Sequence, residues 1–315
     1  MRLGLVGCGR LAELGYVPAA MRATGVELVA VADPDPIRRQ HVAATAARAG
    51  VIVSTHASAG ALVEHAALDA VVVASPVSAH EADAVVVTNA GVAVLVEKPL
   101  APDAARAAHV ASLSPTPWVG FNRRFDPGAQ RVRAAAAAHR DDRLDVRAAI
   151  SYRRRSWRAH TVNDDALLDL GPHLVDWSRW VMGDEALRAS ALEVTPHRAV
   201  FDVQFARGRA RLTAATDQLH HEVIEVIDAR GRRIARHHIG GPAGAVRGRF
   251  ARGDHPLVTT LSAQLEHYAR AVRLQPSADL ATAVDGVAVM AVLDAVGASA
   301  VSGGATQPVR RLWET

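Results

Sequence analysis

The sequence predicts an α/β chain in two parts: an N-terminal doubly wound parallel sheet, then a C-terminal α+β domain on a large, mainly antiparallel, open sheet. Three observations predict it. Short aliphatic runs without polar alternation recur through the first 120 residues, as parallel strands buried on both faces require. Segments of helical length separate them. After about residue 122 the runs become longer and alternate apolar with polar residues, as strands with one wet face do.

In chain order, "RLGLVG" (2–7), "VELVAVAD" (26–33), "VIVS" (51–54), "DAVVVAS" (69–75), "GVAVLVEK" (91–98) and "PWVGF" (117–121) read as the parallel strands. Helices are expected over 10–24, 36–49, 77–90 and 102–112. In the second part a long helix is expected over 163–182. Extended segments are "LDVRAAISYRRRSW", "RASALEVTPH", "RAVFDVQFA", "RARLTAATDQ" and "HEVIEVIDARGRRIARHHI". Gly231 in "DARGRR" offers a tight turn between two arms of the last. "GGPAGAVRGRFARGDHP" (240–256), rich in Gly and Arg, reads as a mobile loop. Helices near 257–273 and 279–300 close the chain. The expected domains are therefore 1–121 and 122–315.

Composition narrows the function. Half of the 315 residues are hydrophobic and 22% charged, an ordinary globular balance. No uninterrupted apolar run approaches the roughly 20 residues that span a bilayer, and the N-terminus lacks the apolar core of a secretory leader. No membrane partner is expected. Cys8 is the only cysteine, so no internal disulfide forms, which fits a reducing cytoplasm. The pI near 9.9 suggests phosphate backbones. However, the net charge is only +4 and arginines are scattered among 32 acidic residues, so no nucleic-acid partner is expected. The tightest cluster, "YRRRSWR", puts Arg153 and Arg155 on one side of a strand and Arg154 on the other.

The first strand runs into "GCGRLA", which places Gly7, Gly9 and Ala12 in the pattern G-x-G-x-x-A, with Arg10 and Leu11 between. The first glycine permits the turn, the second lets a pyrophosphate approach the backbone, and the third small residue lets the helix pack on the sheet. The helix N-terminus then supplies N–H donors and a favourable dipole. The second strand ends in Asp33, whose carboxylate suits ribose hydroxyls and repels a 2′-phosphate. Together these predict a Rossmann dinucleotide site that favours NAD, with Arg38 and Arg39 leaving NADP as the alternative. Asp33 also reads as the start of the turn "DPDP". Ligands of parallel sheets bind outside the carboxyl ends of the strands, where "ASPVSAH" places Ser75, Pro76 and His80, and "VEKP" places Glu97 and Lys98.

Lys98 is the only lysine in the chain; every other such cation is arginine. Arginine is always protonated and planar, and cannot serve as a titrating point donor beside a substrate oxygen. The other sharp constellation is "LLDLGPHLVDW". Asp169 and His173 are four apart and share a face if both are helical. Because Gly171 and Pro172 intervene, the helix is expected to begin near Gly171 with Asp169 just before it. An Asp that accepts from one imidazole nitrogen frees the other for proton transfer. The plainer reading makes Asp169 an N-terminal helix carboxylate and His173 a partly buried helix residue.

The segments "GLVGCGRLAELGYVPA", "VAVADPDP", "ASPVSAHEADAVVVTNAGVAVLVEKPLA", "VGFNRRFDP" and "ALLDLGPHLVDWSRWVMG" give the chain a resemblance to the glucose–fructose oxidoreductase, inositol dehydrogenase and rhizopine-catabolism family, Gfo/Idh/MocA. They cover most of the first 183 residues. The resemblance implies catalysis by Lys98, Asp169 and His173, and NAD or NADP on Gly7, Gly9, Ala12 and Asp33. It also implies a cofactor lined by Ser75, Pro76 and Glu97, with Asn122 near the reacting centre and a sugar, cyclitol or nucleotide-linked sugar as substrate. Where many relatives carry glycines, this chain has Asp164 and Asp165, which alters the expected pocket.

The chemistry agrees. Alcohol oxidation needs a base for the hydroxyl proton, and an imidazole with an ordinary pKa of about 6.5 works in both directions near neutral pH. Lys98 would donate to the same oxygen, and Asp169 would orient the imidazole or bind a neighbouring hydroxyl. Arg153, Arg155, Arg158 and Trp157 are further candidates for contact with a phosphorylated or nucleotide-linked substrate, Arg155 and Trp157 first among them, and His160 stays unassigned. No metal is called for. The antiparallel sheet offers a face for a homodimer or homotetramer. Two other readings remain: an NAD-dependent glycoside hydrolase using transient redox, and a dinucleotide-binding regulatory protein without turnover.

Overall fold

The computed structural model describes residues 1–154, 165–240, 255–275 and 277–312. In chain order the strands and helices are β1 (Arg2–Val6), α1 (Val17–Ala20), β2 (Glu27–Ala32), α2 (Pro36–Arg48), β3 (Ser54–His56), α3 (Ala59–His65), β4 (Ala70–Val73), α4 (Val77–Asn89), β5 (Ala93–Glu97), α5 (Ala104–Ala111) and β6 (Trp118–Gly120). Then come α6 (Pro127–Ala137), β7 (Leu144–Arg153), α7 (Ala166–Met182), β8 (Ala186–Val194), β9 (Arg198–Phe205), β10 (Gly208–Ala215), β11 (Asp217–Asp228) and β12 (Arg233–Gly240). The chain closes with α8 (Pro256–Val272), β13 (Ala281–Thr282), α9 (Ala283–Val301) and β14 (Gln307–Pro308).

The chain forms two compact units, Met1–Phe125 with Asp254–Val287, and Asp126–Gly253 with Ala288–Thr315. A cut at 121/122 with one continuous second domain is therefore not how it divides. The reason lies in α8, whose Leu261, Leu265 and Tyr268 are buried in one core with Leu3, Leu5, Tyr16 and Val72. Tyr268 also donates to the Val71 carbonyl at 3.2 Å. Each fully buried Leu or Val contributes about 1.5–3 kcal/mol, enough to recruit a distant helix.

In the first unit the sheet order is β13-β6-β5-β4-β1-β2-β3. All pairs are parallel except β13 with β6. Every residue of β4 is buried, which is why its sequence shows no alternation. The helix expected over 10–24 runs from Arg10 to Ala20, with a π-helical turn over Ala12–Tyr16 that leads into α1. Helices α3 and α6 were not expected. Both carry start signals, Ser58 capping the Ala61 N–H and Asp126 followed by Pro127 at the first helical position.

In the second unit the order is β12-β11-β7-β10-β9-β8-β14. The sheet is antiparallel except for β7 beside β10. Helices α6 and α7 pack on it, and β9 alternates buried with less buried residues as one covered face requires. The less buried residues form a charged ladder, Arg209–Asp145 at 3.2 Å, Arg211–Asp202 at 2.8 Å and Arg236–Glu225 at 3.0 Å. The expected turn joins β11 to β12, with Gly231 at φ +78° and the Asp228 carboxylate accepting from the Arg230 and Arg232 N–H groups at 2.9 Å.

Helix α7 begins at Ala166, not near Gly171, so Asp169 lies inside it. Asp165 caps it, accepting from the Leu168 N–H at 2.8 Å. Pro172 sits within the helix. Gly171 is explained by packing, since a Cβ there would stand 2.9 Å from Leu293 of α9. Helix α9 has a mean hydropathy of 1.7 over its most apolar window, long and apolar enough to cross a membrane by length and composition. Here it is a core helix: Val287 to Val292 are all buried, and Gly286 packs against Leu100 and Val119. The loop expected over 240–256 falls almost wholly outside the described residues.

Candidate active site

Gly7 ends β1 at φ +96°, and a Cβ there would lie 2.5 Å from the Ala74 carbonyl and the Ser75 nitrogen. Only glycine fits both the dihedral and the close approach. At Gly9 a Cβ would meet nothing within 4 Å, so open space faces this backbone where a diphosphate would come. The helix starts at Arg10, and the first N–H groups of a helix have no intrahelical acceptor. Ala12 is fully buried, and Leu11 packs on the core of the first unit. Arg10 reaches Glu13 at 2.9 Å. These features fit a dinucleotide diphosphate at a helix N-terminus.

Asp33 serves both roles that the sequence left open. One carboxylate oxygen accepts from the Cys8 N–H at 2.8 Å, the other from the Asp35 N–H at 2.9 Å. The side chain thus braces the glycine loop and starts the following turn. Arg39 donates to the carbonyls of Asp33 and Pro34, and Arg38 pairs with Asp35 at 3.3 Å. Burial, then the Asp33 charge, push the Cys8 thiol up to about 12, which disfavours the thiolate form.

After β4, Ser75 donates to Asp83 at 2.6 Å, and Pro76 immediately precedes α4. His80 is 2% exposed. Its Nδ1 lies 2.8 Å from the Pro99 carbonyl and its Nε2 2.8 Å from the Ser75 carbonyl. The ring expected at this ligand-binding edge is buried, with both nitrogens engaged. After β5, Glu97 is buried: one oxygen accepts from the Tyr16 hydroxyl at 2.5 Å, the other from the Lys98 N–H at 3.0 Å. Gln264 in turn donates to the Tyr16 hydroxyl at 3.2 Å. Burial raises the Glu97 pKa against the opposing bond from Tyr16. The Glu97 carboxylate thus holds the backbone of Lys98. Lys98 itself is half-buried, while Glu97, Pro99 and Leu100 beside it are buried. Asn122 is buried and donates to the Thr260 hydroxyl of α8 at 2.9 Å.

In the second unit α7 carries Asp169 and His173 four residues apart, hence on one face. His173 is 5% exposed. Asp169 accepts from the Tyr152 hydroxyl and from Arg154 Nη2, the latter at 3.1 Å. Burial and then the Asp169 charge raise the Tyr152 pKa. Neither partner was singled out from sequence. The signal was strand alternation, which separates Arg154 from Arg153 and Arg155 and sets it with Tyr152. Arg155, Trp157, Arg158, His160 and Asp164 lie outside the described residues.

Residues 1–115 match the oxidoreductase family with an NAD-binding Rossmann fold, GFO_IDH_MocA. An inositol 2-dehydrogenase of Saccharopolyspora erythraea is 33% identical over 63% of this chain and 58% of its own length. The rhizopine catabolism protein MocA of Rhizobium meliloti is 32% identical over 58% of each. The chain thus matches less than two thirds of the length of these relatives. A crystal structure of myo-inositol dehydrogenase from Lactobacillus casei in complex with NAD(H) and myo-inositol superposes with a TM-score of 0.77, covering 98% of this chain and 97% of that one at 18% identity, a likeness of fold. With its glycine loop, Asp33 and the Glu97-Lys98-Pro99 step in place on that fold, the chain is similar to the Gfo/Idh/MocA oxidoreductases, whose NAD-binding Rossmann domain residues 1–115 match.

Proposed function

We propose that the protein is an NAD-dependent dehydrogenase or ketoreductase acting on a CH–OH carbon of a cyclitol, sugar or nucleotide-linked sugar. The observation that carries this reading is Lys98. The only lysine of the chain stands half-exposed at the carboxyl end of a parallel strand, the edge at which such sheets bind ligands. Bound NAD would supply the acceptor for hydride. Gly9 and the N–H groups of Arg10, Leu11 and Ala12 would hold its diphosphate, and Asp33 its adenosine ribose. Arg38 and Arg39 are already engaged by Asp35 and by backbone carbonyls, which supports NAD over NADP.

His173 takes the hydroxyl proton, and Lys98 donates to the same oxygen and stabilises the charge that grows on it. Asp169, fixed by Tyr152 and Arg154, orients the imidazole or receives a neighbouring hydroxyl. The name of the inositol 2-dehydrogenase relative favours a cyclitol. The less buried face of the second sheet supports a homodimer or homotetramer, and a single buried cysteine suits a cytoplasmic location.

The test is net conversion of nicotinamide cofactor, with NAD and NADP, across inositols, sugars and nucleotide sugars. Turnover with NAD and an inositol is expected. Glycoside cleavage without net cofactor change would replace the reading by the transient-redox hydrolase. Tight NAD binding without turnover of any substrate would replace it by a regulatory protein.

A further inference from the structure

His80 joins two segments that the sequence keeps 24 residues apart, Ser75 and Pro99. Ser75 follows β4 and Pro99 follows β5, and these strands are hydrogen-bonded neighbours in the sheet. The imidazole therefore spans two adjacent strand ends, 2.8 Å from a backbone carbonyl on each side. Both partners are acceptors. A neutral imidazole has one N–H and satisfies one of them; only the imidazolium donates to both. Burial opposes the charged form while the two carbonyls favour it. In either form, no ring nitrogen is left to meet a cofactor directly.

The position of Lys98 makes this bridge consequential. Its N–H is held from one side by the buried carboxylate of Glu97 at 3.0 Å. The next residue, Pro99, is held from the other side by His80. Two buried ionisable side chains thus grip the backbone immediately before and after the side chain to which catalysis is assigned. Lys98 carries four rotatable methylenes, so its ammonium is only as well placed as its backbone. A filler of the same volume would not need both nitrogens aimed at carbonyls.

We infer that His80 is a positioning residue, which ties the Lys98–Pro99 segment to the end of β4 and so sets where the Lys98 ammonium stands. The inference rests on the role given to Lys98 above, yet its test does not. Because Lys98 is the only lysine, growth on lysine labelled with 13C at Cε yields a single side-chain resonance. It is recorded in the NAD-bound protein for wild type, His80→Leu and His80→Asn. Leucine fills the volume without donors; asparagine is too short to reach both carbonyls.

Either variant that folds, judged by circular dichroism, is expected to displace or broaden the Lys98 resonance. Turnover should fall about tenfold or more, as a misplaced catalytic group costs, while the KM for NAD stays near that of wild type. An unchanged resonance in a folded variant overturns the inference, whatever the enzyme's substrate proves to be. A rise in the KM for NAD with kcat intact also overturns it, since the ring would then act on the cofactor and not on Lys98.

Discussion

Glu97 shows how a buried residue can hold the backbone beside a proposed site. Its carboxylate is buried beneath Lys98, and burial holds its pKa above the ordinary value of 4.5. The native state then binds more protons than the unfolded chain in the window above 4.5, so this group makes stability fall as pH rises through it. In Glu97→Gln that fall is absent. Urea denaturation of both proteins across a pH series checks it: wild type should lose stability relative to the variant from about pH 4.5 upward, by the sign of the shift. The residue was legible in the sequence, its environment only partly. The run "VLVEKP" placed it at a strand end. Nothing local announced Tyr16, 81 residues away, or the Gly120 backbone, where a Cβ would come 2.8 Å from the carboxylate. Asp169 repeats the lesson, for its helix could be read but not the Tyr152 and Arg154 that hold it.

At the scale of the element, the sequence spoke most clearly where burial is two-sided. Five strands of the first sheet, β1, β2, β4, β5 and β6, were readable as aliphatic runs, and the long arms of the second as alternating ones. The third run, 51–54, was misplaced, since β3 forms at the largely exposed Ser54–His56. Helix ends were less legible because two signals competed at α7. Gly171 and Pro172 suggested a start, but both lie inside the helix, and the start belongs to Asp165. Asp165→Ala is expected to destabilise the protein by about 1 kcal/mol through loss of the cap, measured by denaturant unfolding. An unaffected midpoint would mean that the helix does not rely on this cap. Helices α3 and α6 carried capping residues that the sequence reading passed over, and the π-helical turn at Ala12–Tyr16 has no signature in composition or periodicity. Asp165 also changes meaning here: expected from sequence as a pocket residue, it caps α7 in the structure.

At the scale of the whole chain, the division into two units depends on which core each late helix joins. Pattern showed that 256–272 is a helix; it could not show that Leu265 and Tyr268 belong with Leu3 and Tyr16. Helix α9 is long and apolar enough to cross a membrane by length and composition, yet Val287 to Val292 are buried within the fold. The proposed chemistry turns on the lone lysine in a chain otherwise supplied with arginine. The central claim is that this position needs a compact donor, not merely a positive charge. The measurement that tests it most directly is the turnover number of Lys98→Arg, beside wild type, with NAD and the best inositol substrate. The account predicts a loss of roughly a hundredfold or more, the usual worth of a donor at a developing oxyanion, with NAD affinity retained. Turnover close to that of wild type would contradict it and remove Lys98 from the chemistry.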